Sequence, residues 1–232
     1  MCEISVNGET LVADPMGALY WPSRQALIVA DLHFEKGSSF AGRGLMLPPY
    51  DTRTTLKRLA ALICRHEPAI VISLGDAFHD GDSEQRMDEA DADCLARLVR
   101  ARRWIWVLGN HDRAPPRRFS GEACAELRLG SLTLRHEPMA GAEPGELAGH
   151  LHPCARVRTE SRIQRRRCFA TDGSRMVLPA FGAYAGGLNI LEDAYAPLFE
   201  APTAFVLGSN GVYPIARSLL VGDAPGAVRL AG

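Results

Sequence analysis

Six of the seven histidines lie in short polar segments that carry the side chains typical of metal sites. In chain order, these segments contain Asp31 and His33, Asp76 and His79, Asn110 with His111 and Asp112, His136, and His150 with His152. Carboxylate, amide and imidazole groups together suit divalent ions between the hard and borderline classes. Two such ions a few ångström apart also need an anionic ligand that bridges them. The residue types therefore predict a site for two divalent metal ions.

Each segment also has an alternative interpretation as an ordinary turn. The triplet Asp-Leu-His at position 31 is a weak signal alone, and so is Gly-Asp at position 75, because Gly-Asp is a common turn dipeptide. The sequence Gly-Asn-His-Asp from position 109 is stronger. Gly-His-Leu-His-Pro from position 149 is stronger again, since an extended segment would put both imidazoles on one face. The ordered set favours a metal site over unrelated turns.

Short apolar runs precede the first three segments and predict buried strands. The runs cover residues 25–30, 69–74 and 104–108, and helices are predicted between them over residues 49–66 and 83–103. In an open α/β sheet, sites form in the crevice beyond the carboxyl ends of the strands. A glycine directly precedes three candidate ligands, where a residue without Cβ lets the backbone approach closely. These glycines are Gly75, Gly109 and Gly149.

The second half of the chain alternates short strand-like runs with tight turns and predicts three β-hairpins. They cover residues 126–135, 167–178 and 204–216. No linker rich in Pro, Gly or Ser divides the chain. We therefore expect one α/β domain over residues 1–232, built on two sheets.

The composition excludes several classes of protein. With 232 residues, 47% of them hydrophobic, and a formal net charge of −1, the chain is not disordered, collagenous or a disulfide scaffold. The charge balance gives no case for electrostatic binding of nucleic acid or membranes by the chain as a whole. The six cysteines lack metal-finger spacing, the first ten residues have neither the basic region nor the apolar run of a signal peptide, and no apolar run is long enough for a membrane helix. We expect a soluble cytoplasmic protein with reduced thiols.

The ordered motifs between Asp31 and His152 resemble those of the calcineurin-like metallophosphoesterase superfamily. The forms DLHFEKG, LGDAFHD and GHLHP, with the later segment LPAFGAYAGGLN, look like the bacterial ligase-associated branch of PdeM-type phosphodiesterases. The resemblance implies a two-sheet β-sandwich core flanked by helices, in an α/β/β/α arrangement. It also implies two divalent metal ions, with Mn²⁺ favoured and Fe or Zn²⁺ as alternatives.

The resemblance implies a role for each candidate ligand. One ion would bind Asp31, His33, Asp76 and His152, and the other would bind Asp76, Asn110, His136 and His150. Asp76 would bridge the ions, and His111 would steady the phosphoryl group and protonate the leaving oxygen. Many superfamily members have an aspartate three residues after the bridging one, to orient that histidine, where this chain has His79. We therefore assign no catalytic role to the neighbouring Asp80.

Five residues are candidates for supporting the ligands or contacting substrate: Lys36, His79, Asp80, Asp112 and Arg113. Lys36 could reach a phosphate, although Lys-Gly is more often a solvated turn. Residues 156–167 carry six arginines and one glutamate, which gives a local charge of +5. This segment is either a track for a phosphate backbone or a solvated loop or edge strand whose arginines block sheet pairing.

The leading expectation is a dinuclear metal-dependent phosphodiesterase that acts on nucleic acid, as a repair-associated endonuclease. The reaction would be in-line attack by a hydroxide that bridges the ions. The resemblance to the ligase-associated branch implies a DNA ligase and a helicase as partners in repair, and no membrane. One alternative is a phosphomonoesterase or nucleotide hydrolase for small molecules. The other is a catalytically silent metal-binding scaffold on the same fold.

Overall fold

The computed structural model describes residues 1–223. The predicted single domain over residues 1–232 therefore extends beyond the described residues. Within the described part of the chain, no helix is long and apolar enough to cross a membrane.

The first sheet contains seven strands in chain order, counted among the described residues. They are β1 (Cys2–Val6), β2 (Glu9–Ala13), β3 (Leu19–Trp21), β4 (Ala26–Ala30), β5 (Ile70–Leu74), β6 (Arg103–Val107) and β7 (Glu122–Cys124). Strands β1 to β4 pair antiparallel, and β4 to β7 pair parallel. The three predicted strands are confirmed as β4, β5 and β6, each within one residue at either end. The sequence did not predict β1 to β3.

The second sheet takes up the carboxyl-terminal half of the described chain. Its strands are β8 (Glu126–Leu129), β9 (Leu132–Arg135), β10 (Glu146–Ala148), β11 (Cys154–Arg158), β12 (Ile163–Thr171), β13 (Met176–Val177), β14 (Thr203–Leu207) and β15 (Val212–Ile215). Their order is β15-β14-β12-β13-β10-β9-β8, with β11 paired to β12. The antiparallel pairs β8–β9, β12–β13 and β14–β15 confirm the three predicted hairpins. Strand β10 lies parallel to both β9 and β13.

The α-helices lie mainly in the connections of the first sheet. They are α1 (Lys36–Gly42), α2 (Asp51–His66), α3 (Ser83–Arg86) and α4 (Glu89–Arg100), and one-turn 3-10 helices cover Pro22–Arg24, Asp193–Tyr195 and Arg217–Leu219. Helix α2 confirms the first prediction. The prediction of one helix over residues 83–103 is wrong, because the chain leaves the helical conformation at Asp88, where ψ is 138°. The Asp88 carboxylate then accepts the N–H of Ala90 and caps a new helix.

Two sheets packed face to face form the centre of the molecule. Alternate residues of each strand point to opposite faces, so Ile28 packs between the sheets while Leu27 and Val29 pack under the helices. Leu59 of α2 and Leu95 of α4 cover that outer face. The outer face of the second sheet is covered by a segment that includes the 3-10 helix Asp193–Tyr195. A two-sheet core flanked by helices is confirmed.

Candidate metal centre

The strand ends bring the candidate ligands together. Asp31 directly follows β4, Asp76 lies two residues beyond β5, and Asn110 lies three residues beyond β6. In the second sheet, His136 directly follows β9 and His150 lies two residues beyond β10. Because β4, β5 and β6 are parallel, and β9 and β10 are also parallel, the carboxyl ends within each set lie at one edge.

The first cluster consists of Asp31, His33 and His152, whose ligand atoms lie within 4.8 Å of one another. The Nε2 atom of His152 is 3.3 Å from Nε2 of His33 and 3.3 Å from Oδ1 of Asp31. All three residues are buried. Asp31 and His33 follow the first sheet and His152 follows the second, so this cluster joins the two sheets.

The second cluster consists of Asp76, His136 and His150, again with ligand atoms within 4.8 Å of one another. Asn110 belongs with them, because its Oδ1 atom lies 2.8 Å from Nε2 of His136 and 3.0 Å from Nδ1 of His150. Those two nitrogens are 3.1 Å apart. Four side chains from both sheets therefore aim donor atoms at a common point.

Asp76 lies between the clusters. Its Oδ2 atom is 3.3 Å from Nε2 of His136 in the second cluster and 4.0 Å from Nε2 of His33 in the first. Its Oδ1 atom accepts the main-chain N–H of His111 at 2.9 Å. One carboxylate oxygen thus faces ligands of both clusters, as a bridging ligand must.

The donor chemistry of the clusters fits two divalent cations. In both clusters, imidazole nitrogens lie opposite other imidazole nitrogens, carboxylate oxygens or an amide oxygen. These atoms carry more lone pairs than there are protons to share between them, and a cation can accept those lone pairs. Buried carboxylates such as Asp31, which is 0% exposed, need a positive partner. The mixture of oxygen and imidazole ligands suits Mn²⁺, Fe or Zn²⁺. The described residues thus form two candidate metal sites.

Without metal, these residues share few protons. Burial lowers the pKa of His33 to about 3, against the opposing charge of Asp31. Burial also lowers the pKa of His136, but the hydrogen bond to Asp76 and the charges of Asp31 and Asp76 outweigh it and raise the value to about 9. The pKa of Asp76 is lowered despite burial by its hydrogen bond to His136 and by nearby imidazoles. In the metal-free protein, the cationic form of His136 therefore balances part of the carboxylate charge.

Five candidate ligands have a left-handed backbone. Positive φ angles occur at Asp31 (53°), His33 (44°), Asp76 (45°), His150 (67°) and His152 (48°). Because this conformation costs roughly 1–2 kcal/mol for a non-glycine residue, its concentration here indicates strain at a functional site. The prediction that residues 149–153 are extended is wrong. The two turns send His150 to the second cluster and His152 to the first.

Glycines permit the close approach of the strand-end loops. A Cβ atom at Gly75, where φ is +74°, would lie 2.1 Å from Nδ1 of His136. A Cβ atom at Gly109 would lie 2.2 Å from Oδ1 of Asp76. Both distances are far below van der Waals contact, which confirms the predicted need for residues without a side chain.

Asp112 holds the loops after β5 and β6 together. Its Oδ1 accepts the N–H groups of Asp76 at 3.1 Å and Gly109 at 2.9 Å. Its Oδ2 accepts those of Ala77 at 2.7 Å and Phe78 at 3.3 Å. Burial and the charge of Asp76 raise the pKa of Asp112 to about 6, although the main-chain N–H groups oppose this. The sequence identified Asp112 as a candidate but could not reveal these four contacts.

His111 lies beside the clusters and is oriented by a main-chain group. Its Nδ1 atom lies 2.7 Å from the carbonyl oxygen of His79, so Nδ1 carries the proton and Nε2 faces Asp76 at 3.9 Å. The two imidazole rings stack at 5.2 Å. The Asp80 carboxylate instead forms an ion pair with the guanidinium group of Arg86, at 2.8 Å. The carbonyl of His79 thus holds His111, and Asp80 lies outside this contact.

Lys36 and Arg113 differ in their surroundings. Lys36 is 4% exposed at the start of α1, so its interpretation as a solvated turn is wrong. Its ammonium group influences His33 and His79 electrostatically and lies 5.8 Å from the ring centre of Phe40. Arg113 is exposed in a cleft of about 470 Å³ that His111 also lines. The guanidinium group of Arg113 has no hydrogen bond or ion pair among the described residues.

The arginine-rich segment 156–167 forms the hairpin of β11 and β12. Part of its charge is neutralised, because Arg156 and Arg165 both reach Asp223. Arg167 donates to the carbonyl oxygen of Ala180 at 2.7 Å. Strand β11 pairs only with β12 in the described chain and lies outside the main path of the sheet. The alternative of an edge strand is therefore correct for the β11 part of the segment.

Comparisons with known proteins agree with this arrangement. The family described as calcineurin-like phosphoesterase matches residues 25–163. No curated protein matches the chain by sequence. Among solved structures, the chain is similar to the nuclease MPE of Pseudomonas putida, with 30% sequence identity and a TM-score of 0.73. That similarity covers 92% of this chain and 99% of the nuclease chain.

Proposed function

Because this chain belongs to the calcineurin-like phosphoesterase family and is a metal-dependent phosphoesterase, we propose that its substrates are phosphodiesters of nucleic acid. The observation that carries the proposal is the pair of ligand clusters around Asp76, with His111 beside them. Similarity to a protein named a nuclease supports a nucleic-acid substrate. The repair-associated endonuclease activity is the narrower form of this proposal.

The proposed metal ligands keep the division of the two clusters. Asp31, His33 and His152 would hold one ion, and Asn110, His136 and His150 would hold the other, with Asp76 shared. When bound, the two ions supply Lewis-acid activation of a water molecule and offset the charge on the phosphoryl oxygens. We favour Mn²⁺, with Fe or Zn²⁺ as alternatives, since the ligand types suit all three.

His111 is the proposed general acid. The carbonyl of His79 fixes the proton on Nδ1, so a second proton on Nε2 is the one available for transfer. Nε2 lies on the side of the imidazole that faces Asp76 and the clusters. There it can protonate the oxygen that leaves the phosphorus atom, which contributes roughly 10²–10⁴-fold to the rate.

Other side chains prepare the site. Asp112 holds the loops that carry Asp76 and Asn110 at a fixed separation, through its hydrogen bonds to Asp76 and Gly109. His79 packs its ring against His111 and excludes water from one face of that imidazole. Lys36 supplies a buried positive charge for a phosphoryl oxygen, and Arg113 can contact the leaving strand.

The biological setting follows from the substrate. We propose that the enzyme acts in DNA repair beside a DNA ligase and a helicase, as the sequence resemblance implies. All six cysteines are free thiols, which favours a reducing compartment such as the cytoplasm.

The test compares a bis-ester and a mono-ester chromogenic phosphate. The enzyme is stripped of metal and then restored with Mn²⁺, Zn²⁺ or Fe²⁺. We expect restored activity to be greater on bis(p-nitrophenyl) phosphate than on p-nitrophenyl phosphate, and then cleavage of a labelled oligonucleotide. Faster turnover of the mono-ester would instead identify a phosphomonoesterase. Full metal occupancy without activity on either ester would identify a silent scaffold.

A further inference from the structure

A basic cleft lies at the base of the β11–β12 hairpin, outside the metal clusters. It has a volume of about 440 Å³ and is lined by Pro15, residues 165–167 and residues 207–209. Among the residues that the structure describes, this lining includes three arginines and no carboxylate. Such a composition gives the cleft a local positive charge, although the net charge of the whole chain is −1.

The three arginines have different partners. Arg165 is neutralised by Asp223 at 3.1 Å. Within residues 1–223, the Arg166 guanidinium group hydrogen-bonds only to the side-chain oxygen of Gln164 on its own strand, at 2.8 Å. Arg167 donates to the main-chain carbonyl of Ala180 and has no acidic partner among the described residues. The side-chain hydroxyl of Ser209 is likewise without a partner there. The cleft therefore offers two uncompensated guanidinium groups and one hydroxyl group.

A further arginine, Arg58 of helix α2, lies close enough to Arg167 for their charges to interact. Arg58 donates to the carbonyl oxygen of Met16 at 2.6 Å, and its guanidinium carbon lies 4.5 Å from the ring centre of Phe181. Burial, followed by the charge of Arg167, lowers the pKa of Arg58 to about 10. Neither arginine has an acidic partner among the described residues. Two partly buried cations that repel each other favour the binding of an anion between or beside them.

A short segment connects this cleft to the metal clusters. The carbonyl oxygen of Ala180 accepts the hydrogen bond from Arg167. Ala180 also forms a β-bridge with Ala30, the residue directly before Asp31. Two residues further on, the N–H of Gly182 donates to the carbonyl of Asp31 at 3.0 Å. Since neighbouring Cα atoms are about 3.8 Å apart, only a few residue lengths separate the Arg167 contact from the first cluster. The two sites are therefore close enough for one polymer to contact both.

We propose that this cleft binds a backbone phosphate of the nucleic acid whose scissile phosphate lies at the metal clusters. The inference rests on the proposed function. Guanidinium groups match the oxygens of a phosphodiester through paired hydrogen bonds, and Arg166 and Arg167 point this chemistry into a cleft without carboxylates. The cleft contributes affinity for a polymer and nothing to a substrate with a single phosphate.

The test reverses the charge of Arg166, because that side chain has only a local contact within its own strand. Affinity for a fluorescent single-stranded DNA oligonucleotide is measured by anisotropy. The full-length, metal-loaded protein is used at a temperature and time at which a gel shows no cleavage. Arg166→Glu should weaken affinity at least about tenfold, and the slope of log K against log salt should fall by about 0.7 for each lost phosphate contact. Arg166→Gln should give a smaller loss in the same direction.

The matched control is Arg162→Glu, which makes the same charge change on the same hairpin outside the cleft. It should change DNA affinity less than about twofold. All three variants should hydrolyse bis(p-nitrophenyl) phosphate at the rate of the unaltered protein, since that ester has one phosphate. Equal losses of DNA affinity at positions 162 and 166, or none at 166, would overturn the cleft. Absence of bis-ester hydrolysis by the unaltered protein would instead overturn the proposed function, and the binding assay would still decide the cleft.

Discussion

The Nδ1 atom of His111 lies 2.7 Å from the main-chain carbonyl oxygen of His79. A carbonyl oxygen accepts hydrogen bonds and cannot be removed by substitution of a side chain. This hydrogen bond to His111 is therefore kept whichever side chain residue 79 carries. Removal of the His79 ring and removal of the His111 ring should therefore have different effects.

His111→Ala should retain metal and lose about 10²–10⁴-fold in turnover of esters with a poor, alkyl leaving group. The loss should be smaller for p-nitrophenolate, which leaves without a proton. His79→Ala keeps the carbonyl and should lose less than about tenfold. The measurements are initial rates with both leaving groups and metal content by atomic emission. Near-normal activity of His111→Ala on both esters would show that His111 is not the acid.

Asp76→Asn should weaken both metal sites, because one oxygen of this carboxylate faces both clusters. Asparagine tolerates the left-handed backbone found at this position, so the variant should fold. The metal content after exhaustive dialysis should drop for both ions together. Asp82→Asn, at an exposed aspartate, is the control and should retain its metal. Occupancy of two ions in Asp76→Asn would contradict the ligand scheme.

Asp112→Ala should reduce both stability and metal affinity, because four N–H groups of the ligand loops lose their acceptor. We expect the free energy of unfolding to fall by at least about 2 kcal/mol. Metal affinity should fall about 10–100-fold, as is typical for residues that hold ligands in place. Both are measured, by urea unfolding and by metal titration.

The control for Asp112 is Asp172→Ala. Asp172 also accepts main-chain N–H groups, from Ser174 at 2.9 Å and Arg175 at 3.0 Å, but in an exposed turn. Its loss should lower stability and leave metal affinity unchanged. A similar loss of metal affinity in both variants would mean that Asp112 acts only through general stability.

The metal-free protein should become less stable as the pH rises from about 6.5 to 9. The pKa of His136 is about 9 in the fold, against about 6.5 in an unfolded chain. The bound proton therefore stabilises the fold fully below pH 6.5, and this contribution is lost as the pH rises through 9. Thermal unfolding of the chelator-treated protein measures this trend.

The same proton must leave when metal binds. At pH 7.5, metal binding should release about one proton through His136, which calorimetry in two buffers of different ionisation enthalpy detects. Metal affinity should rise about tenfold per pH unit over this range. A flat stability profile together with no proton release would show that His136 is neutral before metal binds.

Much of the site was predictable because strand ends are a simple geometric constraint. Asp31, Asp76 and Asn110 follow three apolar runs, and parallel pairing of those runs brings their ends together. The path of residues 149–153 was not predictable. The left-handed turns at His150 and His152 arise from contacts with the first sheet, such as the His150 N–H to Asp31 at 3.1 Å. The spacing of residues along the chain cannot predict contacts between residues so far apart in sequence.

The sequence also failed to predict the amino-terminal strands and the burial of Lys36. Strands β1 to β3 are three to five residues long and are stabilised by pairing with one another and with β4. Buried and more exposed residues alternate in these strands, so no continuous apolar run like that of β4 marks them in the sequence. Lys36 was interpreted as solvated because its chemistry is polar, whereas the packing of α1 on α2 buries it.

Each candidate metal cluster draws ligands from both sheets, and His33 and His152 are separated by 119 residues in the chain. A bound ion therefore acts as a cross-link between the two halves of the molecule. In a covalent cross-link, closing a loop of this length restricts the unfolded chain by about 4–5 kcal/mol. The two ions would thus couple the unfolding of the two sheets. Metal bound at this centre would therefore also stabilise the packing of one sheet on the other.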